Sequence, residues 1–69
     1  MNEQVFSTHA IMKQCLQAIT DTLSTGNTNK ILLGINDADA IEDLAIRFGL
    51  KVQINNRLGG HRYTVTLER

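Results

Sequence analysis

The chain is predicted to fold as an α+β two-layer sandwich, a four-stranded mixed sheet carrying two helices on one face. Three observations predict it. Apolar residues recur at helical spacing in two separate stretches, they alternate strictly with polar ones in two later stretches, and an apolar run, ILLGI, stands between the helical patterns. With a brief strand in front, the order reads β-α-β-α-β-β, and right-handed crossovers bring both helices to the same side. The 69 residues form one domain with one core, which hides only about 60% of the surface the unfolded chain exposes.

Taken in order, Gln4 to Phe6 is the short first strand. Ser7 or Thr8 then offers a hydroxyl for an N-cap, and Ile11, Cys15, Ile19 and Leu23 recur every fourth residue with Met12 and Leu16 beside them. Lys13, Gln14, Gln17 and Asp21 take the opposite face, and the turn formers of STGNTN end the helix. KILLGI, Lys30 to Ile35, is apolar on both faces, as an interior strand would be. Asn36 or Asp37 caps a second helix with inward positions Ile41, Leu44, Ala45 and Phe48, and Gly49 stands where a left-handed residue closes it. Leu50, Val52 and Ile54 alternate with Lys51, Gln53 and Asn55; Tyr63, Val65 and Leu67 alternate with Arg62, Thr64 and Thr66. The intervening NNRLGG makes these two strands an antiparallel hairpin. The sheet face away from the helices is then lined by Lys51, Gln53, Arg62, Thr64 and Thr66, with Leu32 as its apolar exception, and such a face is either wet or an interface.

Composition narrows the function classes. At 42% apolar and 20% charged residues the chain is an ordinary globular one, and its longest apolar run, five residues, is far below the roughly 20 that span a bilayer. The opening MNEQVFSTHA has no basic and apolar leader pattern, so a cytoplasmic protein with no membrane attachment is expected. Cys15 is the single cysteine, which leaves no internal disulfide and no zinc cluster; neither a metal nor another cofactor is expected. Net charge is zero but unevenly placed: residues 1–46 carry two basic and six acidic side chains, residues 47–69 five basic and one acidic.

The densest charge is NDADAIEDL, where Asp37, Asp39, Glu42 and Asp43 fall within seven residues. A calcium loop needs oxygen ligands at alternate positions and glycine at the sixth, but counting from Asp37 the fifth position is Ile41 and the sixth Glu42. The acids would also repel a phosphate. They suit the first turn of a helix, where negative charge meets unpaired amides, and Asp43 stands four residues before Arg47 for a surface pair. Cys15 shares the apolar stripe of the first helix, which predicts burial and a raised thiol pKa. His9 belongs to the first helical turn, and His61 to the glycine-containing turn of the hairpin, with no acid or nucleophile fixed near it by sequence. The most function-like group is basic: Arg47, Lys51, Arg57, His61, Arg62 and Arg69. Tyr63 is its only aromatic and points inward, so a base-stacking platform is missing.

With the element order in place, the chain resembles the TusA-like (SirA-like) sulfur-carrier family of small β-α-β-α-β-β proteins. The similarity is carried by ILLGINDADAIEDLAIRFGLKVQI and by the closing GGHRYTVTLER. What it implies is a TusA-like domain over residues 1–69. The family's chemical signature, a Cys-Pro-x-Pro segment opening the first helix, has no counterpart: the region reads STHAIM, and the motif cysteine falls on Ser7 or His9. Sulfur transfer by the family mechanism is therefore not expected. DLAIRFGLKVQI followed by HRYTVTLE is also similar to the end of a single-strand-binding domain named for its Arg-x-x-x-His motif, but Ala38 and Glu42 hold those two positions.

The expectation from the sequence is a non-enzymatic relative of the sulfur carriers, acting through protein interaction or self-association. Its interaction candidates are Leu32, Arg47, Lys51, Arg57, His61, Arg62 and Thr64. The alternative is RNA binding by the basic C-terminal hairpin.

Overall fold

A computed structural model describes residues 5–69. It contains helix α1 (His9–Thr25), strand β1 (Asn29–Leu33), helix α2 (Ile35–Arg47), strand β2 (Lys51–Asn55) and strand β3 (Tyr63–Glu68). The sheet has three strands in the order β1-β3-β2, and both pairings are antiparallel. β1 and β2 are thus parallel to each other with β3 inserted between them, a split strand-helix-strand unit.

This corrects the expected four-stranded mixed sheet. Gln4 lies outside the described residues, while Val5 and Phe6 belong to no strand. Phe6 packs partly buried against the core instead. The next residue, Ser7, is tied to α2: its backbone N–H and its hydroxyl donate to the two carboxylate oxygens of Asp37, 2.7 Å each. The parallel pairing that would have made the sheet mixed is absent because β3 takes the central place. Its Val65 and Leu67 have no exposed surface, whereas β1 and β2 carry lysines, Lys30 and Lys51, that suit an edge open to water. The expected interior strand, KILLGI, is accordingly an edge strand, and Leu32 is 44% exposed. Ile35, read as its last residue, opens α2.

Helix ends follow the local chemistry with one exception. Thr8 caps α1, its Oγ1 accepting from the Ile11 N–H at 3.1 Å. α2 is capped by neither Asn36 nor Asp37 but begins after Gly34, without a side-chain cap bond, so Asp37 lies inside the first turn with its carboxylate free to reach Ser7. At the other end Gly49 adopts φ 82°, the Leu50 N–H reaches Ala45 O at 3.1 Å and the Gly49 N–H reaches Ile46 O at 2.9 Å. That bond pair is the Schellman closure, and it turns Leu50 into the core.

The core joins both helices to one side of the sheet: Cys15, Ala18 and Ile19 from α1, Ala38, Ile41 and Ala45 from α2, and Ile31, Leu33, Val65 and Leu67 from the strands. Three expected apolar-stripe residues are outside it. Phe48, past the end of α2, is 52% exposed, and Leu23 is on the exposed flank of α1 with Leu16. Thr22 replaces Leu23 in the buried stripe. Its hydroxyl donates to Ala18 O at 2.7 Å and accepts from Asn29 Nδ2 at 2.8 Å, which satisfies it without water and fixes the turn into β1.

Candidate functional site

Alternation along the strands decides what the uncovered side of the sheet presents. Ile31 and Leu33 point to the helices, so Lys30 and Leu32 point away; Val65 and Leu67 point in, so Thr64, Thr66 and Glu68 point out. Pairing assembles these into rows: Leu32, Thr64 and Asn55 across one, Lys30, Thr66 and Gln53 across the next, and Glu68 opposite Lys51 at the far end. Both threonines are half-buried by their neighbours. No helix among the described residues covers this face.

Of the residues singled out in the sequence, Leu32, Lys51 and Thr64 share this face. Arg62 immediately precedes β3, and Arg57 and His61 lie in the exposed loop between β2 and β3, whose Gly59 and Gly60 adopt φ of 73° and 64°. Arg47 is elsewhere. It ends α2 on the covered side and pairs with Asp43 at 3.3 Å, both side chains well exposed. Arg69, beyond β3, lies against Gly26 at the close of α1: a Cβ there would stand 3.3 Å from its guanidinium nitrogen. The basic group therefore divides. Arg57, His61 and Arg62 mark one end of the sheet, and Arg47, Lys51 and Arg69 the other, separated by the length of β2, about 14 Å at 3.4 Å per step.

The acidic stretch divides as well. Asp37 is 6% exposed and joins the chain before α1 to the start of α2. Asp43 serves the surface pair, and Asp39 and Glu42 remain on the outer side of α2. Among the described residues no group of three or more His, Cys, Asp and Glu side chains is placed to hold a metal ion, and no helix is long and apolar enough to cross a membrane.

The two positions that the sequence resemblance sets against the sulfur-carrier cysteine hold Ser7 and His9. The Ser7 hydroxyl is engaged by Asp37, and His9 is the exposed first residue of α1. Cys15 is fully buried, and burial, with the negative Asp37 adding to it, pushes its thiol up to about 11. A thiol so placed is protonated at neutral pH.

Sequence reasoning missed Lys30, Asn55 and Glu68 on the open face and the Ser7–Asp37 link. All three residues had a signal, since each continues the period-two spacing of its strand's outward side. The link joins residues 30 apart and has no local signature. Searches against models of known families, curated proteins and solved structures find no match to this chain.

Proposed function

We propose that this domain is a non-catalytic binding module that takes a macromolecular partner on the open face of its sheet. The observation that carries the reading is Leu32, a large aliphatic side chain 44% exposed beside the half-buried Thr64, on a sheet face that no described element covers. A partner would desolvate Leu32 and Thr64 as a small apolar centre, ringed by Lys30, Gln53, Asn55 and Lys51 as polar contacts.

RNA recognition through the hairpin is less well supported, because the cations expected to act together stand at opposite ends of the sheet. The test is retention of partners by the wild-type domain, by Leu32→Asp, and by Leu16→Asp on the exposed flank of α1. The reading expects Leu32→Asp to abolish retention and Leu16→Asp to leave it intact. Retention indifferent to Leu32→Asp would place the binding surface elsewhere and end the proposal.

A further inference from the structure

The molecule has no net charge, yet its two broad outer surfaces carry opposite signs. On the outer side of α2, Ile35, Asp39, Glu42 and Ile46 follow one another at intervals of four, three and four residues, so they form a single stripe along the helix. Ile35 and Ile46 are 46% and 57% exposed, and between them the two acids belong to no ion pair among the described residues. Across the molecule, the open sheet face carries Lys30 in its middle row and Lys51 opposite Glu68 at one end, its hairpin adds Arg57 and Arg62 at the other end, and Leu32 is exposed between Lys30 and the hairpin, so cations exceed acids on this side although they are spread along it. Each surface has what the other lacks: an acidic stripe with apolar ends, and a cationic face with an apolar residue in it.

Resting on the reading that the open face is the binding surface, we infer that its occupant is a second copy of this chain, docked by the outer stripe of α2 in a head-to-tail contact. The dimensions agree. From first to last residue α2 is about 18 Å long, close to the about 17 Å of the central strand β3, so the helix lies along the sheet as a third layer. Charge decides between the possible self-contacts. Two cationic sheet faces repel, and two acidic helices repel, whereas sheet against helix pairs opposite signs in both directions of approach. The contact joins one helix to a three-stranded sheet and is carried mainly by exposed charges. Association is therefore weak and sensitive to salt. Because the contact is heterologous, it leaves one free surface of each kind at the two ends of every assembly, and it continues into chains unless the rotation closes a ring.

The experiment is sedimentation equilibrium across a concentration series, with two charge-reversed variants made at exposed or half-exposed positions: Asp39→Lys with Glu42→Lys on the helix, and Lys30→Glu with Arg62→Glu on the sheet side. Circular dichroism establishes that each is folded. At low salt the wild-type mass is expected to rise with concentration past that of a dimer, and to return to monomer near 1 M salt, where screening acts over about 3 Å. Each variant alone is expected to be monomeric, and an equimolar mixture of the two to associate again, because the reversed helix then meets the reversed sheet. A wild-type protein that stays monomeric at low salt overturns the inference, as does a mixture that fails to associate. Association lost in the sheet variant but kept in the helix variant overturns it in favour of sheet-to-sheet pairing, which leaves the binding-face reading intact. A monomer whose Lys30→Glu, Arg62→Glu variant loses affinity for single-stranded polyuridylate also overturns it, and makes nucleic acid the occupant.

Discussion

The two sides of β3 show how unequal alternate residues of one strand can be. Val65 and Leu67 have no exposed surface and meet both helices; Thr64 and Thr66, one residue away, are half-exposed on a face that nothing described covers. A central strand in a two-layer domain thus supplies stability from one side and leaves the other available for recognition. The difference teaches where substitutions are costly and where they are free to serve binding.

The largest expected effect tests the covered side. Leu67→Ala removes a fully buried side chain at a cost of about 2–5 kcal/mol. The whole stability of a domain this size is only about 3–10 kcal/mol, so denaturant titration should show it barely folded. The same truncation at Leu32 should lower the unfolding free energy by less than about 0.5 kcal/mol; a comparable loss at both sites would erase the contrast between the faces.

The next effect concerns the clasp beside the covered face. Asp37→Ala removes the acceptor of two Ser7 hydrogen bonds, and bonds to a charged group contribute about 1.5–3 kcal/mol. Ser7→Ala keeps the backbone bond and should cost less. Equal losses would mean that the hydroxyl carries the link by itself.

Val65→Thr and Thr64→Val exchange residues of nearly equal volume on opposite sides of the strand. The buried hydroxyl should cost about 1–3 kcal/mol in thermal or denaturant unfolding, while Thr64→Val should be close to neutral or slightly stabilising. If the two changes had the same sign and size, alternate residues would not differ in environment.

Alkaline pH sharpens the same contrast through Cys15. The folded thiol is raised from its ordinary value of 9.0 to about 11, so above pH 9 the native state holds a proton that the unfolded state releases. Its contribution to stability is fully present below pH 9 and is lost as pH rises through 11. Near neutral pH, labelling by a thiol reagent should follow unfolding rather than occur in the folded protein. Rapid native labelling would mean that the covered side is open at α1.

Much of the chain was legible residue by residue. The stripe Ile11, Cys15, Ile19, the Thr8 cap, the Gly49 closure and the alternation of residues 50–55 and 63–67 all specify their elements through neighbours within a turn or two. The open face was legible in part, since alternation alone separates Thr64 and Thr66 from Val65 and Leu67. Leu23 and Phe48 were misplaced because helical spacing gives a stripe's direction but not its width: Thr22, satisfied by Asn29, occupies the interior instead, and Phe48 lies past the last helical turn.

What the amino-acid order determined by itself was local: where α1 begins and ends and where α2 ends, which residues of a strand share a side, and that Cys15 belongs inside. Only the tertiary structure decided that β3 separates β1 from β2, that KILL forms an edge, that Asp37 holds Ser7, and that the cations divide between two ends of the sheet. The physical reason is range. Backbone periodicity and capping act over three or four residues, whereas strand order is set by which apolar surface most needs burial on the assembled sheet, and that preference is spread over residues far apart in the chain.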